Sequence, residues 1–158
     1  MMKAKQAPAQ DRPEPYKLTD HPMHYLAAIQ RQHQMNVTRA LRPLGISALM
    51  WRVLALLNDL GECTISHMAD VAVLDRTALG RLLETMARQG LVRRTERSPE
   101  DRRATVVAIT DSGVEVYSAA LPTVLRLSRE LREGIGEADF ATAMAVLRRM
   151  KANARSAF

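Results

Sequence analysis

Cysteine is nearly absent. Cys63 stands alone among 158 residues, so no disulfide within the chain is available, a pattern that fits a reducing compartment. Aromatic residues amount to 4%, with a single tryptophan, Trp51. A core built under that restriction must be aliphatic and filled by methionine, of which there are nine. No uninterrupted apolar run approaches the roughly 20 residues that cross a bilayer. The opening M-M-K-A-K-Q-A-P-A-Q-D-R-P-E-P lacks the apolar centre of a secretion signal, and the expected address is the cytoplasm, with no membrane partner. Histidine is also thin: His21 and His24 stand three apart, while His33 and His67 lie elsewhere with no cysteine cluster to join them. That spacing matches no metal-ligand pattern, so neither metal nor cofactor is expected. Without a nucleophile elbow or a phosphate loop, enzyme chemistry has no support either.

What is present is apolar residue at 47%, enough for one real core, and a net charge of +6. Residues 1–15, with Pro8, Pro13 and Pro15, read as a flexible arm. A helix is expected from about Thr19–Pro22 to Leu41, capped by Thr19 or Asp20, with Pro22 in its first turn. Pro43 and Gly45 punctuate the chain. Ser47 then caps a helix with Leu49, Val53, Leu56, Leu57 and Leu60 on one face, closed by Gly61. Thr64 or Ser66 opens a short helix, and Asp75 caps the next, whose Leu79, Leu82, Leu83 and Met86 face inward before Gly90 stops it. Residues 91–95 and 105–109 read as two strands joined by a loop of about eight residues. A long apolar-striped helix follows from Asp111 or Ser112, bent at Pro122, and after Gly134 and Gly136 a last helix carries Phe140, Met144, Leu147 and Met150.

That order gives a mainly α fold with a small β-hairpin wing. Residues 46–110 form a winged helix-turn-helix, flanked by an N-terminal dimerisation helix over 16–45 and C-terminal dimerisation helices over 111–155. The outer helices carry more apolar surface than so small a module can cover, which is what a subunit interface needs.

The charge is not evenly spread. Between positions 76 and 103 stand eight arginines against four acids, so more than half of the net excess sits on one helix and the hairpin. A helix of that size fits the major groove of B-DNA. Its inward residues would leave Arg76, Thr77, Arg81 and Arg88 facing outward, with Arg76 and Arg81 reaching either a guanine edge or a phosphate. The wing would bring Arg97, Arg102 and Arg103 to the minor groove, with Asp101 two residues away to orient Arg103. Double-stranded DNA is the expected partner.

The run D-R-T-A-L-G-R-L-L-E-T-M-A-R-Q-G-L-V-R-R, followed by S-P-E-D-R-R-A-T-V-V-A-I-T-D-S-G, resembles the multiple antibiotic resistance regulator (MarR) family over roughly residues 20–155. That family's wing carries Asp-x-Arg and then a strand ending in Leu-Thr-x-x-Gly. Here these read Asp101-Arg102-Arg103 and Ile109-Thr110-Asp111-Ser112-Gly113, with Ile in place of the commoner Leu. The resemblance implies a homodimer with interlocked terminal helices on a pseudo-palindromic operator, Arg103 in the minor groove and Asp101 as its partner. It further implies repression relieved by a small molecule, often an aromatic acid.

A ligand seated between the dimerisation helices and the winged domain would meet His21, His24, Tyr25, Arg31, His33 and Arg52, with Trp51 as an apolar wall. Some relatives sense peroxides through a cysteine near the first helix, but Cys63 precedes the short third helix instead and reads as an inert, buried thiol. The competing reading is a dimeric DNA-binding protein without a ligand response, acting architecturally or at one locus.

Overall fold

The computed structural model describes residues 17–96 and 105–156. The chain divides into two compact units, residues 1–32 and 33–158. In the first, Leu18–Asp20 form a single 3₁₀ turn, and helix α1 then begins at Pro22 and runs on as Pro22–Leu41. Thr19 and Asp20 do not cap it, because both are inside that turn. His21 stands at the capping position, where its Nδ1 accepts the Met23 N–H at 3.2 Å. Pro22 has no N–H to satisfy and its fixed φ suits the first helical position.

The second unit holds the core. After a 3₁₀ turn closed by Gly45, helix α2 (Ala48–Leu60) starts where Ser47 Oγ accepts the Met50 N–H at 3.2 Å. Strand β1 (Cys63–Thr64) is two residues long, and helix α3 (Ile65–Ala72) follows with Thr64 as its cap. Helix α4 (Arg76–Arg88), strands β2 (Val92–Glu96) and β3 (Thr105–Ile109), and helices α5 (Asp111–Glu130) and α6 (Glu137–Ser156) complete the order. Three strands form the sheet where the pattern predicts two. β3 lies in the centre, pairing antiparallel with β2 from Val92↔Ile109 to Glu96↔Thr105 and with β1 at Cys63↔Val107 and Thr64↔Val106. A two-residue strand is too short to show an alternation, which explains why it leaves no trace in the sequence.

Val53, Leu54 and Leu57 of α2 pack with Met68 of α3, Leu79, Leu83 and Met86 of α4, Val107 of β3 and Ala120 and Val124 of α5. Methionine fills gaps that branched side chains leave. Trp51 stacks on Tyr117 across α2 and α5, with ring centroids 6.3 Å apart at 17°. Pro122 is accommodated inside α5, which continues to Glu130. Leu60, on the apolar stripe of α2, and Val114, Leu125 and Leu131, in and just after α5, are exposed within the chain. Their stripes extend past the ground that one chain's core covers. At the joint between α5 and α6 the Arg132 guanidinium lies 3.8 Å from the Phe140 ring centre and 2.8 Å from Glu137 Oε1.

Candidate nucleic-acid interface

Helix α4 is fixed from one side only. Leu79, Leu83 and Met86 are fully buried, each contributing about 1.5–3 kcal/mol by leaving water. Across the helix Arg76, Thr77, Arg81 and Arg88 are exposed, as the arginine pattern predicts. The start of the helix is set by Asp75, whose Oδ1 accepts the Ala78 N–H at 2.8 Å. Its end is set by Gly90, at φ 72°, with the Leu91 N–H returning to the Met86 carbonyl at 3.0 Å. That reversal needs a left-handed residue, and glycine adopts it without a Cβ penalty.

Ion pairs hold two of the arginines, a feature that no spacing rule reveals. Arg76 Nη2 lies 3.6 Å from Asp70 Oδ1 on α3, and Arg94 Nη1 on β2 lies 3.6 Å from Glu84 Oε1 on α4. Both pairs are solvent-accessible, so each adds little stability. Their effect is to orient guanidinium groups and to tie the helix to the base of the wing. Arg88 donates to Thr85 Oγ1 at 3.2 Å. Arg97, Asp101, Arg102 and Arg103 lie outside the described residues.

The base of the wing is joined tightly to α5. The Thr110 hydroxyl donates to the Gly90 carbonyl at 2.6 Å and accepts the Gly113 N–H at 3.1 Å, while the Thr110 N–H donates to the Leu91 carbonyl at 3.2 Å. Gly113 is buried against Leu91.

Of the residues considered for a ligand, His21, His24, Tyr25 and Arg31 belong to the first unit and His33, Trp51 and Arg52 to the second. His24 and Tyr25 meet edge to face at 6.0 Å. Arg52 Nη2 donates to the Ala72 carbonyl at 2.8 Å, satisfying the C-terminal end of α3. Tyr117 of α5 is the stacking partner of Trp51. The Trp51 Nε1 atom is buried without a hydrogen-bond partner. Cys63 is half-buried in β1, and burial pushes its thiol pKa above the ordinary value. Among the described residues no cluster of three or more His, Cys, Asp or Glu could hold a metal ion, and no single helix is long and apolar enough to cross a membrane.

A helix anchored by one apolar face, carrying arginines on the other and set beside a β-hairpin, has the arrangement of a winged helix-turn-helix. Comparison with known proteins agrees. The model of the MarR family matches residues 44–104. The chain is similar to the HTH-type transcriptional repressor IacR of Pseudomonas putida, at 30% identity over 124 residues that cover 78% of this chain and 74% of that protein. Its fold matches that of Bordetella bronchiseptica BpsR, whose DNA binding is regulated by 6-hydroxynicotinic acid, with a TM-score of 0.76 at 20% identity over 87% of this chain and 97% of that one. It also matches a mutant MarR from E. coli complexed with operator DNA, with a TM-score of 0.73 at 23% identity over 81% of this chain and 91% of that one. The chain belongs to the MarR family of DNA-binding transcriptional regulators.

Proposed function

We propose that the protein is a homodimeric transcriptional repressor that grips a pseudo-palindromic operator and leaves it when a small aromatic acid binds. The observation that carries the DNA half is the division of α4 into a buried apolar face and an exposed face bearing Arg76, Thr77, Arg81 and Arg88. In this reading α4 enters the major groove and the wing, with Arg97, Arg102 and Arg103, follows the neighbouring minor groove. Asp101 orients Arg103. Repression rather than activation is supported by the likeness to IacR, itself a repressor.

The dimer is supported by the C-terminal helices. No residue of α6 from 137 to 154 is fully buried within the chain, and Leu125, Leu131, Ile135 and Val146 stand exposed along α5, α6 and their joint. A dimer that reads successive turns on one face of DNA needs its two α4 helices about 34–36 Å apart. Ligand release is supported by the likeness to BpsR, whose DNA binding is regulated by 6-hydroxynicotinic acid. The regulator acts in the cytoplasm in this reading.

The testing experiment is selection of bound fragments from the source's genomic DNA, at about 150 mM salt with excess competitor, so that general phosphate attraction is screened. A shared palindrome with half-sites one turn apart supports the reading. Fragments without a common sequence favour ligand-independent, architectural binding, and no retained DNA refutes the reading altogether. On the selected duplex, Arg103→Ala is expected to lose roughly 1–3 kcal/mol of binding free energy; unchanged affinity sinks the minor-groove role. Sedimentation should give a dimer, and a monomer at micromolar concentration overturns that part. Titration with 6-hydroxynicotinic acid as the first probe should release the duplex.

A further inference from the structure

The two helices of the reading unit end in the same way with different residues. α4 closes on a left-handed Gly90, and α3 closes on Val73 at φ 54°, ψ 52°. The Val73 and Leu74 N–H groups both return to the Ala69 carbonyl, the latter at 3.0 Å. Elsewhere among the described residues positive φ falls on glycine, at Gly45, Gly61 and Gly134. Val73 is the one non-glycine residue with positive φ among those described. A β-branched side chain is the poorest fit there, because its Cβ and both γ-carbons crowd the backbone.

Packing does not offset that cost. Val73 is 76% exposed, the most exposed large apolar side chain among the described residues. It is neither a core residue nor a good turn residue, so fold stability does not account for it. Its position does. Val73 stands two residues before the Asp75 cap of α4 and three before Arg76, at the end of the helix whose first turn meets base edges in this fold class. Backbone strain held at a DNA-reading end calls for a contact that exists only in the complex. The chemistry of a bare, exposed isopropyl group three residues before Arg76 matches one feature of the major groove, the thymine C5-methyl, the apolar mark that distinguishes A·T from T·A there.

We propose that Val73 is a specificity-determining residue that packs against a thymine methyl at the edge of each half-site, where Arg76 and Arg81 supply charge. The assignment rests on α4 lying in the major groove. It predicts a sequence preference that arginine contacts alone do not create.

The test uses the full-length protein and the duplex recovered by the selection above. Thymines of one half-site are replaced one at a time by deoxyuridine, which removes the methyl and keeps every hydrogen bond. For the native protein, one position should weaken binding about fourfold, the value of burying one methyl-sized group. In V73G, which keeps the left-handed turn, that position should become insensitive and affinity for the unmodified duplex should fall by the same factor. Thermal unfolding of V73G at or above the native temperature shows that the loss is not one of folding. V73N, which also tolerates the turn, should behave like V73G if the fold of the glycine variant is weakened. A native protein that binds the duplex but shows no methyl-sensitive position, or shows one that persists in both variants, overturns the proposal and leaves the groove placement standing. A native protein that retains no duplex overturns both.

Discussion

Gly113 and Gly80 both lie in helices, and the structure assigns opposite signs to their replacement by alanine. At Gly80 an added Cβ meets nothing within 4 Å, so the variant keeps the helical preference for alanine and gains up to about 1 kcal/mol. At Gly113 the added Cβ would fall well inside contact with the Leu91 carbonyl oxygen and 2.7 Å from Ile109 Cγ1. The first obstacle is backbone and cannot rotate away. Relieving it moves the Leu91 carbonyl or the first turn of α5, which loosens the Thr110 N–H to Leu91 bond of 3.2 Å. Overpacking of this kind costs about 1–3 kcal/mol, and a weakened hydrogen bond about 1 kcal/mol more. Set against a helix gain of up to about 1 kcal/mol, Gly113→Ala should be less stable by about 2 kcal/mol. Thermal melts followed by circular dichroism at one protein concentration should show a drop of about 4–8 °C for a chain of this size, while Gly80→Ala melts at or above the native temperature. A Gly113→Ala melt within about 1 °C of native refutes the reasoning, because overpacking against backbone has no cheap escape.

Two further outcomes follow from single groups. Asp75→Ala removes the acceptor for the Ala78 N–H and should cost about 1 kcal/mol in denaturant titration, with Asp75→Ser recovering most of it; equal losses in both variants would mean that the cap is not the cause. Burial raises the Cys63 thiol pKa, so the folded chain keeps a proton that the unfolded chain releases. The thiol's contribution to stability is therefore complete below the ordinary thiol pKa and is lost as pH rises through the raised one. Alkylation of the native protein near the ordinary thiol pKa should be slower than that of the denatured chain, and equal rates would contradict the burial.

The parts of the fold legible in the sequence are those governed by local rules. Ser47, Thr64 and Asp75 each have a short oxygen side chain before an apolar stripe, and each accepts the N–H three residues on. The inward set of α4 follows from its period. What escaped depends on partners distant in sequence or on residue types that the rules do not favour. His21 caps α1 with a ring nitrogen, outside the usual set of capping oxygens. β1 is visible only through its pairing with β3. Trp51 and Tyr117 meet because α2 and α5 pack, and Asp70 reaches Arg76 because the turn at Val73 brings α3 back on α4. That turn itself reads as continuing chain, since valine gives no signal of a left-handed residue.

The motif that closes the wing and the arginines that precede it serve different ends. Thr110 bridges the Gly90 carbonyl and the Gly113 N–H, and Gly113 leaves just the room that the Leu91 backbone occupies. None of those groups is available to a nucleic acid: the hydroxyl is engaged on both sides, and Gly113 is buried. The Thr-x-x-Gly pattern is therefore a requirement of the joint between the reading helix and α5, and its presence argues for the fold. The argument for DNA comes from residues that stability does not need, namely the exposed Arg76, Arg81 and Arg88. Cationic groups so placed add nothing to the core, and a polyanion lying along the outer face of α4, as proposed above, would account for their concentration there.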